Sequence, residues 1–231
     1  MVALFLHFVM IIGQEQDSVN YRYEGLRIGA DVGNYLINSA TGERNELMIL
    51  ADYEFVQDRY AVLEGGYSLI DDVNDSLVNK INGAFGIVGI DFNFYDRKRR
   101  INDDILYLGL RYAYSTFAHD FSRNETYTGS FSEEGKDNYS AQWGEFVLGG
   151  KGELWFLKNV FLGLSLRVKV LTTKTEAELI EPSRIPGFGN YSKGVVVGLN
   201  WTISYRIPFK KIKVIPTKKK DKKKKDKQDG N

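Results

Sequence analysis

An alternation of apolar and polar residues with a period of two, recurring in about eight separate stretches between residues 21 and 209, constrains this chain more than any other feature. Side chains along an extended strand point to opposite faces in turn, so this pattern marks strands with one apolar face; a helix would need apolar residues three and four apart. In 23–33, Leu26, Ile28, Ala30 and Val32 share one face, and Arg27 and Asp31 the other. In 45–55, Leu47, Ile49, Ala51, Tyr53 and Phe55 alternate with Asp52 and Glu54. In 60–70, Leu63, Tyr67 and Leu69 oppose Glu64; in 83–95, Val88, Ile90, Phe92 and Phe94 oppose Asp91 and Asn93. The stretch 105–117 sets Leu106, Leu108, Leu110, Tyr112 and Tyr114 against Arg111. Residues 141–155 set Phe146, Leu148 and Leu154 against Glu145, Lys151 and Glu153. In 160–171, Leu162, Leu164, Leu166 and Val168 face away from Arg167 and Lys169. The last stretch, 194–209, sets Val195, Val197, Leu199, Trp201, Ile203, Tyr205, Ile207 and Phe209 against Asn200, Thr202, Ser204 and Arg206.

Each stretch, from 11 residues for 23–33 to 16 for 194–209, is at least as long as a tilted membrane strand, which needs about 9–11 residues. No apolar run approaches the roughly 20 residues of a helical span, and mean hydropathy is −0.31, so a membrane role would have to come from strands. The four prolines all lie at or beyond Pro182, as a chain of hydrogen-bonded strands requires. Connections alternate in length: 34–44, 71–82, 118–140 and 172–193 are long, whereas 56–59, 96–104 and 156–159 are shorter. The expected fold is all-β, an antiparallel up-and-down transmembrane β-barrel of about eight strands, with long loops outside and both termini periplasmic. A soluble lipocalin-like ligand-binding barrel shares the alternation. Two features favour the membrane form. The polar face mixes Gly, Ser and Ala with single charges, as a crowded interior does. Aromatics at Phe55, Phe92, Phe94, Tyr205 and Phe209 would form an interfacial girdle.

The flanks differ from the body. Residues 1–13, MVALFLHFVMIIG, have the length of a signal-peptide apolar core, with cleavage near Gly13; a buried N-terminal strand is the alternative. Residues 14–20 form a periplasmic lead, 21–209 the barrel and 210–231 a disordered periplasmic tail. That tail carries eleven Lys against three Asp, a net +8, which leaves −7 for the rest of a chain whose total is +1. Anionic lipid head groups or cell-wall carboxylates are its expected partners, with plain solvation as the alternative; the periplasm offers no nucleic acid. Cysteine is absent, which closes disulfide and thiolate chemistry.

The inward charges nearly balance. Arg27, Arg111, Lys151, Arg167, Lys169 and Arg206 stand against Asp31, Asp52, Glu54, Glu64, Asp91, Glu145 and Glu153. An eight-stranded barrel is only wide enough for its side chains to fill, so these charges are expected to pair as a plug rather than to line an ion or proton path. His119 lies in the longest expected external loop, with Ser115, Asp120 and Ser122 near in sequence. That spacing is not diagnostic of a nucleophile and base, and it reads as a surface histidine. A membrane-embedded lipid-modifying enzyme is therefore the alternative, not the expectation. Asp71, Asp72 and Asp75 lack a fixed calcium-ligand spacing and read as a solvated turn. No cofactor or metal is expected. Asp17-Ser18-Val19 and Asp75-Ser76-Leu77 resemble a three-residue bacterial O-glycosylation pattern.

Five runs, GIDFNFYD (89–96), LYLGLRYAYSTF (106–117), WGEFVLGGKGEL (143–154), IPGFGNY (185–191) and NWTISYRIPF (200–209), resemble a Bacteroidota outer-membrane family of unknown function, a small barrel of the OmpA/OmpX kind. The resemblance spans most of 21–209. It implies a signal peptide, an outer-membrane barrel in contact with outer-membrane lipids, and no catalytic residue. Tyr205, Ile207 and Phe209 also resemble the C-terminal signal that the barrel-assembly machinery reads during insertion.

Overall fold

Strands form wherever the alternation runs, because burying one face of a ladder while every backbone group pairs satisfies both the apolar side chains and the peptide dipoles. The structure is a computed structural model that describes residues 20–33, 44–74, 77–95, 103–125, 131–177 and 180–214. Eight long strands carry the fold: β1 (Asn20–Asp31), β2 (Arg44–Val56), β3 (Arg59–Asn74), β4 (Leu77–Asn93), β5 (Ile105–Glu125), β6 (Phe131–Glu153), β7 (Val160–Lys174) and β10 (Val195–Val214). A short hairpin, β8 (Arg184–Ile185) and β9 (Gly189–Asn190), interrupts the connection from β7 to β10. The long strands close into an antiparallel up-and-down barrel in the order β1-β10-β7-β6-β5-β4-β3-β2. The expected signal peptide at 1–13, the lead as far as residue 19, Asp17-Ser18-Val19, Asp75, Ser76 and the tail from 215 onward lie outside the described residues.

The two faces separate as the alternation requires. Leu63, Leu108, Leu148, Leu164, Leu199 and their neighbours are exposed on the outside, while Arg27, Asp52, Glu64, Asp91, Arg111, Glu145, Lys151 and Arg167 are buried inside. On β5 the outward apolar run lasts from Leu106 to Tyr114. At about 3.4 Å per residue and a tilt near 40°, that run is roughly 21 Å tall, close to the apolar band of a membrane barrel. The ends of the ladder at Asn20 and Val214, and the turns after β2, β4 and β6, share one end of the barrel. The turn after β2 is tight: Asp58 sits at φ 62°, a conformation Asp tolerates, and its N–H donates to Glu54 Oε1 at 2.8 Å.

At the opposite end the ladder departs from the expected boundaries. The sequence reads as loop over 71–82 and 118–140, yet β3 runs to Asn74, β4 begins at Leu77, β5 ends at Glu125 and β6 begins at Phe131. Beyond the apolar run, outward positions become Thr116, Ala118 and Asp120, so the alternation disappears from the sequence while backbone pairing continues. Outward charges there alternate across four strands, Asp71 beside Lys80, Lys80 beside Asp120 and Asp120 beside Lys136. His119 is not on a surface loop: it lies within β5 and points inward, fully buried. The last strand also exceeds its expected end at Phe209: Lys210 to Val214 pair with Glu24 to Asn20, so the beginning of the Lys-rich segment belongs to the ladder.

Candidate functional site

The lumen gathers most of the charged side chains that the sequence sets aside, in three layers. In the central layer four cations, Arg27, Arg111, Lys151 and Arg167, meet four carboxylates, Asp52, Glu64, Asp91 and Glu145. Seven of the eight long strands contribute, because each places one or two inward positions at this height. Asp52 accepts from Arg27 Nε at 2.6 Å and from Lys151 Nζ at 2.5 Å. Glu64 accepts from Arg167 at 2.6 and 3.0 Å and also from Arg111. Arg111 Nη2 reaches both oxygens of Asp91 at 3.2 Å, and Arg167 reaches Glu145 at 3.2 Å. Trp143 Nε1 donates to Glu145 at 2.8 Å. Charges this far from water are tolerated because each has an opposite charge and hydrogen bonds in reach.

At the end bearing the ladder's first and last residues, Arg206 bonds to Asp103, lies 3.4 Å from Glu153 and donates to Asn159 Oδ1 at 3.1 and 3.0 Å. Aromatic faces cover these guanidiniums: Arg27 lies 4.6 Å from the Tyr60 centroid and Arg206 5.0 Å from that of Phe161. Of the expected charges, Glu54 serves the turn at Asp58. A pocket of about 20 Å³ lined by Tyr23, Glu24, Arg27, Tyr60 and Arg206 remains at this mouth, which is on the scale of one water molecule.

The opposite mouth is closed by the chain itself. The connection 172–193 does not stay outside as expected; its hairpin turns inward and buries Ile185, Phe188 and Tyr191. Phe188 packs against Trp143 at 5.6 Å between ring centroids, within a cluster that includes Phe85, Phe117 and Tyr139. Gly187 is held from two sides: its carbonyl accepts from Lys169 Nζ at 2.5 Å and its N–H donates to Glu46 at 3.4 Å. The position demands glycine twice over, since φ is +76° and a Cβ would meet the Phe85 ring at 2.6 Å. Lys174 lies 3.7 Å from the Tyr191 ring centroid. The Tyr191 hydroxyl donates to the Thr175 carbonyl at 2.6 Å, and burial pushes its phenol up to about 12. Asp31, another expected charge, accepts from the Asn200 amide and from Gly33 N–H at 2.9 Å.

Sequence reasoning misses Asp103, Glu46, Trp143 and the inward hairpin. Ile185, Phe188 and Tyr191 are the available signal, because a solvated loop has no need of so many apolar side chains around a Pro-Gly turn. His119 sits 5.4 Å from Phe121 and 6.0 Å from Tyr139 between ring centroids, and neither ring nitrogen has a hydrogen-bond partner among the described residues. Ser115, near His119 in sequence, donates to the Ala84 carbonyl. Tyr205, Ile207 and Phe209 lie exposed on the outer face, with Phe209 5.8 Å from Tyr53.

A family model described as a domain of unknown function, DUF6048, matches residues 1–212. No curated protein matches the chain. Among solved structures, the chain is similar to the attachment invasion locus protein Ail of Yersinia pestis, at 11% identity over 84% of this chain and 99% of that one, with a TM-score of 0.40. It is also similar to a major outer membrane protein from Thermus thermophilus, at 13% identity over 80% of this chain and 98% of that one, with a TM-score of 0.41.

Proposed function

We propose that this chain, which belongs to the DUF6048 family, is a closed, plugged barrel of the outer membrane whose role is structural or one of interaction, as an accessory subunit, rather than catalytic. The continuous outward belt of aliphatic and aromatic side chains around a closed ladder carries this reading. Water is a poor solvent for such a belt, whereas lipid accepts it, and closure leaves no strand edge to be satisfied in the hydrocarbon. An even number of strands returns the chain to the side where it began, so the ends of the ladder and the turns after β2, β4 and β6 share one side, which the longer arms opposite them assign to the periplasm. The β3/β4 and β5/β6 hairpins are then external arms, suited to meeting partners outside the cell or to serving an accessory subunit in a larger assembly. The layered interior supports a barrel that does not conduct. The outward row Tyr205, Ile207 and Phe209 is the segment that the assembly machinery would read, and the Lys-rich tail faces periplasmic anionic lipid or wall.

Fractionation tests the reading. The protein should sediment with outer membranes and migrate faster in unboiled than in boiled detergent gels. Recovery as a soluble periplasmic species with no heat shift would overturn it in favour of a soluble ligand-binding barrel.

A further inference from the structure

The turn between β6 and β7 displays apolar side chains that the barrel wall does not use. Its sequence, Leu154-Trp155-Phe156-Leu157-Lys158-Asn159, leaves Trp155 92% exposed and Phe156 59% exposed. Exposed aromatics on a floppy loop would mean little, but this turn is fixed. Leu154 N–H donates to Val160 O at 2.8 Å, Leu157 N–H to Leu154 O at 3.2 Å, and Asn159 N–H to Glu153 Oε1 at 2.7 Å. Asn159, at φ 66°, is clamped from inside by the Arg206 side chain and gives its carbonyl to Arg206 N–H at 2.8 Å. The lumen thus holds the base of the turn while Trp155 and Phe156, their rings 5.4 Å apart and edge-on, stand outward.

Two surroundings identify what covers them. The turn continues the belt, because Leu154 and Leu162 flank it on the outer face and Val160 pairs with Tyr205. Among the described residues, the exposed charges at this end are cationic: Arg59, Lys158, Lys210 and Lys211 are exposed, whereas Glu24, Glu54, Asp58, Asp103, Asp104 and Glu153 are half-buried or buried. An exposed aromatic pair that includes the amphipathic indole of Trp155, just below the hydrocarbon and bordered by exposed cations, matches the level where glycerol carbonyls give way to head-group phosphates.

We infer that the 154–159 turn is a phospholipid anchor, with Trp155 and Phe156 seated at the carbonyl level of the periplasmic leaflet and Lys158 on an anionic head group. This rests on the membrane reading above and adds the partner and the contact point. The anchor sets the depth of the barrel at its periplasmic end, opposite the charged row at Asp71, Lys80, Asp120 and Lys136.

The full chain, refolded into vesicles of phosphatidylcholine with or without phosphatidylglycerol, tests it. The acyl chains carry bromine either near the carbonyl or near the chain end. Subtracting the fluorescence of a Trp155→Phe protein from that of the native protein isolates Trp155, because Trp143 and Trp201 contribute to both. The Trp155 component should be quenched more by bromine near the carbonyl than by bromine at the chain end. Lys158→Glu should reduce that quenching in vesicles containing phosphatidylglycerol and leave it unchanged in phosphatidylcholine alone. If the proteins show the heat shift of an inserted barrel but the Trp155 component is unquenched, the turn stands clear of the lipid and the inference fails while the barrel reading survives. Quenching that ignores Lys158→Glu in both lipids refutes the head-group contact. Absence of the heat shift in every lipid would bring down the membrane reading and the anchor with it.

Discussion

Glu64→Gln removes one negative charge from the middle of the lumen with little change of shape. In the native protein the central layer holds four cations and four carboxylates, and Glu64 bridges two guanidiniums, those of Arg111 and Arg167. The substitution leaves four cations facing three carboxylates at a site where the side chains of Glu64, Arg111 and Arg167 are at most 3% exposed. Asp91 and Glu145 still hold the two arginines at 3.2 Å, so each keeps one partner. Removing one member of a buried ion pair costs about 3–5 kcal/mol, and the remaining partners place the expectation near the lower figure, about 3 kcal/mol. That is roughly two orders of magnitude in the folded-to-unfolded ratio, and a large share of a domain stability of about 5–15 kcal/mol. Urea titration in detergent micelles, with the folded fraction read from the fast band of unboiled gels, measures the shift. The double variant Glu64→Met with Arg167→Met restores three cations against three carboxylates but takes from Glu145 its guanidinium, leaving it the Trp143 Nε1 contact, so it should recover only part of the loss. A Glu64→Gln midpoint that overlaps the native one would show that these charges are hydrated rather than paired, and the reasoning about the lumen would fall.

Three further outcomes follow from the other layers. Native protein should pass little steady current in planar bilayers, and Phe188→Ala, which empties a buried ring at a cost of about 3–5 kcal/mol, should raise the frequency of openings; stable large currents from the native barrel would refute the plug. His119→Phe should leave stability unchanged or raise it, because the ring packs among aromatics and its nitrogens lack partners among the described residues, and it should leave the lipid composition of cells unaltered; altered lipid on mass spectrometry would assign this histidine a chemical role. A chain ending at Val214 should keep the native urea midpoint, whereas one ending at Phe209 loses the pairs from Lys210 to Val214 and should be weaker by a few kcal/mol at about 1 kcal/mol per ladder bond; equal midpoints would show that the extension contributes nothing.

The barrel wall was legible because lipid-type burial outside and charge burial inside oppose each other at every residue, so Leu106 to Tyr114 or Val195 to Phe209 betray their strand without reference to neighbours. The arms were not, since at Thr116, Ala118 and Asp120 nothing apolar is required outside and the pairing rests on backbone groups that all residues share. The identity of the lumen charges was legible for the same reason as the wall. Their partners were not, because the sequence separations are arbitrary: Lys151 meets Asp52 and Arg167 meets Glu64 only after the sheet has curled shut. The hairpin at 184–190 lay in a segment whose neighbours all read as loop, and only its apolar content argued for burial.

The joint between β1 and β10 differs from the other seven in the distance along the chain that it spans. Every other wall contact joins strands consecutive around the barrel in sequence order, whereas Asn20 meets Val214 across nearly the whole described chain. Bringing ends on the order of 180 residues apart together costs about 2–3 kcal/mol more loop entropy than closing a ten-residue turn. The neighbouring β1/β2 joint offers little to offset this, with only Leu26 to Ala30 in register. The seven hairpin-like contacts should therefore form first, as a growing curved sheet, and closure should come last. Until it does, β10 presents a bare edge along its whole length and the charged interior stands open to water. Closure is then also the step at which carboxylates and guanidiniums lose their solvent, so the rate of refolding into detergent should depend on ionic strength more steeply than the urea midpoint does, which refolding at low and high salt measures.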